Sequence, residues 1–204
     1  MRTLAALLLA AALAPAAPAV SAAVVTFDSY MPRYDYSLST ISTDGFTFAV
    51  VCQNCMGVED RPPEDLIGNP LPGAYNGTAS LLYSEDPLSI TAAGGDAFYL
   101  EQLDLGLSWY VPAADVGSTV TVSYVLAAGG SGSVQATLDR SYSTIAIGQD
   151  VLSVSISGGR GFGYVSLDNV VVNNRLPEPE SAGLAAVALL GAGAVTRRRG
   201  RRTA

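Results

Sequence analysis

The chain reads as an all-β protein. The expected architecture is a single β-sandwich or jelly-roll domain, flanked by an N-terminal signal peptide and a C-terminal transmembrane helix. Three observations lead there. Short runs rich in Val, Leu, Thr, Tyr and Ser are separated by glycine-rich turns. No segment between the two ends carries a long 3.6-residue apolar pattern. Each end has an Ala- and Leu-rich stretch whose flanks suit export or membrane retention better than a protein core.

In chain order, Arg2 supplies a positive start, Leu4 to Ala14 is apolar, and Pro15 and Pro18 break any helix beyond it. Val20-Ser21-Ala22 offers the small residues that signal peptidase requires, so a signal peptide over residues 1–22 is expected. The domain then spans residues 24–175, an ordinary single-domain length. Phe46 to Val50 alternates with period two, as a half-buried strand does. Further strands are predicted at Ala79 to Tyr83, Phe98 to Leu107, Thr119 to Leu126, Ser133 to Leu138, Val151 to Ser157 and Tyr164 to Val172. Turn signals punctuate them at Gly94-Gly95-Asp96, Pro112 to Gly117, Gly129 to Gly132 and Gly158 to Gly163. Several short strands with such turns predict a sandwich. Met56 to Gly77 shows no clear element and carries four prolines with Glu59, Asp60, Glu64 and Asp65, so it reads as a long loop, functional or disordered.

Composition narrows the partners. Of the eleven basic residues, Arg2 and five arginines after residue 196 lie at the ends, and lysine is absent. The domain keeps five arginines against sixteen acids, a charge near −11. Nucleic acid and anionic lipid both require basic residues, so neither is an expected partner of this domain. Histidine is absent, which removes Ser-His-Asp and Cys-His nucleophiles and every His-based zinc site. A phosphate loop with its lysine is excluded too.

What chemistry remains is modest. Cys52 and Cys55 form a C-x-x-C pair, and an even cysteine count in an exported chain favours a disulfide. Free or intermolecular thiols and a redox pair are the alternatives. The residues that follow do not read as the helix that activates redox thiols. Glu101 and Asp104 stand three apart on a predicted strand, which sends them to opposite faces and away from a common glycosidic bond. Trp109 and Tyr110 end a strand, and Tyr75 lies in the long loop; aromatic faces there are candidates to stack on sugar. Tyr30, Tyr34 and Tyr36 cluster near the N-terminus, where core packing is the competing role. Asp28 near the first strand and Asp168 with Asn169 in the last supply hard oxygen ligands that suit calcium. In jelly rolls the terminal strands often lie side by side, so these residues are candidates to meet. Hydrogen bonding of Asp168 to backbone or water is the competing role.

The C-terminal end has three parts. Leu176-Pro177-Glu178-Pro179-Glu180 is a stiff polar break. Residues 181–196 are uncharged and rich in Ala, Leu and Gly, and a transmembrane helix is expected there. Arg197, Arg198, Arg199, Arg201 and Arg202 follow and resist translocation. This ending, residues 177–202, resembles the PEP-CTERM sorting signal of Gram-negative bacteria. The resemblance rests on Pro177, Glu178 and Pro179, the stretch from Ala182 to Val195, and the arginine cluster, in that order. It implies an exosortase as partner, passage through the membrane, and a destination at the cell surface or outside it, often alongside extracellular polysaccharide. Gly45 to Phe48, Leu103 to Gly106 and Ser166 to Val170 are similar to segments of the β-sandwich domains that carry such tails. That second resemblance implies a binding module and a structural calcium.

Together these observations imply an exported surface or matrix protein whose non-enzymatic β-sandwich contacts polysaccharide and needs no other cofactor. A secreted carboxylate-dependent glycoside hydrolase and a ligand-free structural spacer are the alternatives.

Overall fold

Among the residues that the computed structural model describes there are eleven strands: β1 (Ala22–Val25), β2 (Thr40–Thr43), β3 (Phe46–Ala49), β4 (Met56–Glu59), β5 (Ser80–Tyr83), β6 (Leu88–Ala92), β7 (Phe98–Leu107), β8 (Thr119–Leu126), β9 (Ser131–Thr137), β10 (Ser143–Gly158) and β11 (Val165–Asn173). The structure describes residues 22–31, 35–60, 73–84, 87–108, 116–158 and 165–173. The tail motif, the arginine cluster, Trp109, Tyr110 and all of the expected signal peptide except Ala22 lie outside them. Among the described residues the one helical element is a 3-10 turn at Ala93–Gly95, and no helix is long and apolar enough to cross a membrane.

All strand pairs are antiparallel. The hydrogen-bonded path runs β2-β3-β6-β10-β7-β11-β5-β4, with β1 on β11 and the β8–β9 hairpin on β10. One long strand turns this path into two layers. The first part of β10 pairs with β7, and its last part pairs with β6 on one side and β8 on the other. Its register slips between Ala146 and Gln149 and again between Val151 and Ser153. Such bulges bend a strand and increase its twist, which lets β10 leave one layer and enter the other. Gly148 adopts φ 63° within the first slip, a conformation glycine takes at little cost.

The layers face each other through apolar side chains. Phe27, just past β1, meets Phe48 of β3 edge-on at 5.1 Å, and Phe46 of β3 meets Phe98 of β7 at 5.0 Å. β3 is hydrogen-bonded to neither β1 nor β7, so these contacts cross the interior. Leu81, Leu88, Ile90, Leu100, Leu103 and Leu105 are fully buried in the same core. Each such side chain contributes roughly 1.5–3 kcal/mol by leaving water.

The predicted strands at Phe98 and Thr119 have the bounds expected, and the terminal strands do lie side by side: Ala22 pairs with Asn173 and Val25 with Val170. Ala22, at the expected cleavage boundary, is already part of β1. The expected long loop from Met56 opens with β4, whose four residues are all buried. β4 follows the Cys52–Cys55 disulfide, which the structure forms with the Cα atoms 5.8 Å apart.

Candidate functional site

The outward face of β7, β11 and β5 carries a polar cluster roofed by residues 73–79. Gly106 of β7 makes the roof possible, because a Cβ there would overlap the side chain of Ala74. Ala74 N–H donates to Leu107 O at 2.8 Å, which fastens the segment to the end of β7. Asp168 lies beneath it, fully buried. Its Oδ2 accepts from Asn76 Nδ2 at 2.8 Å and Thr78 Oγ1 at 2.7 Å, and its Oδ1 accepts from the backbone N–H of Asn169 at 2.8 Å. Asn76 Oδ1 also accepts from the Thr78 N–H at 3.1 Å, so the Asn-Gly-Thr turn is closed on itself as well as on the sheet.

Asp168 reaches this position because β11 is irregular. Val165 and Leu167 point inward, then Val170 and Val172 do, with Asn169 at φ 45° between them. The extra residue re-aims the side chains around it, as bulges do. Asn169 Nδ2 donates to Asp104 Oδ2 at 3.0 Å, and Thr144 Oγ1 donates to Asp104 Oδ1 at 2.6 Å. Nearby, Tyr142 OH and Ser166 Oγ share a 2.6 Å hydrogen bond.

Desolvation by burial raises the Asp168 pKa above the ordinary aspartate value. The hydrogen bonds from Thr78, Asn76 and Asn169 pull against that rise, and the Asp28 charge adds to it. Burial pushes the Tyr142 hydroxyl up to about 12. Tyr142 is therefore a neutral hydrogen-bonding group at physiological pH.

The expected meeting of Asp28, Asp168 and Asn169 takes place in part. Asp28 is near enough to Asp168 to act on its charge, and Asp28 Oδ1 accepts from the Ala79 N–H at 2.8 Å. Calcium, however, takes six to eight oxygens (roughly) in an open shell. Both oxygens of Asp168 already accept hydrogen bonds, and Asn76 presents its nitrogen to Asp168. Among the described residues no group of three or more acidic or cysteine side chains is placed to hold a metal. As arranged, these residues form a hydrogen-bonded clamp and do not by themselves fit a calcium cage. Asn76, Thr78, Tyr142 and Thr144 were not among the candidates from sequence, and Asp104 was considered there only as half of a carboxylate pair with Glu101. The Asn-x-Thr turn before a strand was the available signal for the first two.

Tyr75 is exposed on the roofing segment between Ala74 and Asn76, with its hydroxyl 3.4 Å from Asp60 O. Trp109 and Tyr110 follow β7 in sequence by two and three residues after Leu107, the residue that holds Ala74. Of the N-terminal tyrosines, Tyr30 packs against the core and Tyr36 donates to the buried Glu59 at 2.9 Å; Tyr34 lies outside the described residues. Glu101 and Asp104 do not take opposite faces. Both registers step across Glu101, and inward residues change from Phe98 and Leu100 to Leu103 and Leu105, which leaves both acids outward.

No family model and no curated protein matches the chain. Among solved structures it is similar to the carbohydrate-binding module CBM29-2. A mutant of that module complexed with mannohexaose has 10% identity and a TM-score of 0.37, covering 76% of this chain and 91% of that one. A second mutant has 11% identity and the same TM-score of 0.37, covering 78% and 99%. Likeness at this level adds no weight to any functional reading.

Proposed function

We propose that this chain is an exported, non-catalytic β-sandwich that binds polysaccharide at or beyond the cell surface and is sorted by a PEP-CTERM tail. The sorting part rests on the order of Pro177-Glu178-Pro179, the apolar stretch and the five arginines. Signal peptidase and an exosortase are its partners under this reading.

One observation carries the binding part: Tyr75 is an exposed aromatic on a segment anchored on both sides. Leu107 holds Ala74, and Asp168 holds Asn76 and Thr78. A ring on a preorganised segment loses little freedom when a sugar face stacks on it. Trp109 and Tyr110, two and three positions past Leu107 in the sequence, are further stacking candidates under the same reading. Asp168 is consumed by its hydrogen bonds and serves as a clamp, which leaves it no role as a proton donor to substrate.

Electrophoresis of the full chain through gels containing neutral polysaccharides tests the proposal. Retardation by at least one polysaccharide is expected, and Tyr75→Ala should weaken it about tenfold. A Tyr75→Ala chain retarded as strongly as the native one sinks this site. Release of reducing sugar from any of the same polysaccharides would favour the hydrolase, and no retardation by any of them would favour the spacer.

A further inference from the structure

We propose that two copies of this chain pair through β9, edge to edge and antiparallel, to continue one sheet across both molecules. Among the described residues β9 pairs with β8 alone. Seven uninterrupted pairs join them, from Thr119–Thr137 to Val125–Ser131. In such a ladder every second residue turns its N–H and C=O away from the partner, so the far side of β9 offers a row of backbone groups that fits another strand.

The edge lacks the usual guards. Ser131–Thr137 reads SGSVQAT, with no charge and no proline, and its register with β8 has no bulge. The other outer strands differ. β1 and β2 are four residues long, and Leu38 bridges Met56 on β4. In a domain with a charge near −11, a seven-residue edge without a carboxylate is where two copies approach at least electrostatic cost.

The strand is also self-complementary. Antiparallel pairing centred on Val134 sets Ser133 opposite the second copy's Gln135 and Ser131 opposite its Thr137. Inward, Gly132 faces Ala136 and Val134 faces its own copy. Val134 is half-buried at the rim of the core, and pairing completes its burial. Beyond the strand, Asp139 and Arg140 come opposite Gly129 and Ala128, so no like charges meet. Outward, the pairing lengthens an uncharged row in which Ser89, Ser155, Ser123 and Ser133 lie side by side on β6, β10, β8 and β9. A single shared edge is smaller than the ~1,000 Å² typical of stable dimers, so the association is concentration-dependent and favoured where copies crowd.

Sedimentation equilibrium of the full chain in a non-ionic detergent, over a concentration series, tests this. Two double variants at exposed positions serve as controls, each first checked for a native unfolding curve. S133K/Q135K places lysine opposite lysine twice and should weaken dimerisation about tenfold. S133K/Q135E places lysine opposite glutamate twice and should dimerise at least as well as the native chain. A native chain that stays monomeric throughout, or two variants that associate equally, overturns the proposal. Dimerisation is measured without polysaccharide, so it stands or falls separately from the binding at Tyr75.

Discussion

Asp168 and Asp104 face each other on β11 and β7, yet their surroundings differ. Asp104 is half-buried and takes two side-chain donors, whereas Asp168 is sealed under the 73–79 segment. Removing the Asp168 carboxylate takes the acceptor from Asn76 Nδ2 and the Asn169 N–H, and leaves the Thr78 hydroxyl with Asn76 Oδ1 alone. Asp168→Ala should therefore cost roughly 2–4 kcal/mol in urea unfolding. Its raised pKa fixes the sign of a pH effect. The folded state holds a proton that the unfolded state has lost between the ordinary aspartate value, about 3.9, and the raised folded value. Native stability relative to Asp168→Asn should thus rise as pH falls through the folded pKa and level off below the unfolded one. A difference that shrinks on acidification would show that the hydrogen bonds outweigh desolvation. Asp168 and its neighbour Asn169 stand out in the sequence, whereas the donors above them do not. Asn76 and Thr78 are ninety-two and ninety positions away, and only the roof over Gly106 brings them together.

Among the elements, legibility followed local pattern. β7 and β8 were readable because long apolar runs end at turn residues. The first half of β10 was not, since Ser143 to Asp150 has two isoleucines among small and polar residues on a partly exposed strand. β4 hid behind the cysteine loop, and β1 resembled the end of a leader. Glu101 and Asp104 share a face despite their odd spacing because parity holds only while the register does, and bulges leave no simple mark in one sequence. The Cys52–Cys55 loop is short, so its closure restricts the unfolded chain little. Replacing both cysteines by serine should lower stability by about 2 kcal/mol or less while leaving the fold intact. A larger loss in thermal or urea unfolding would mean that the loop organises β4.

At the scale of the whole molecule, the all-β class and the sandwich were legible from strand spacing and turns, whereas the strand that joins the two layers was not. One sheet becomes a sandwich only because β10 has two bulges and belongs to both layers. The sorting proposal concerns the ends. Mass spectrometry of the mature protein from an exosortase-bearing host should find residues before Ala22 or Ala23 absent and the arginine tail gone. A tail intact in the envelope would instead indicate stable anchoring.

The pairing of Ala22 with Asn173 has a mechanical consequence. The described residues begin and end at one corner, so a load applied through Ala22 and Asn173 acts at a single pivot. Pulling those two residues apart would unzip β1 from β11 one residue pair at a time, the geometry in which a short strand resists least.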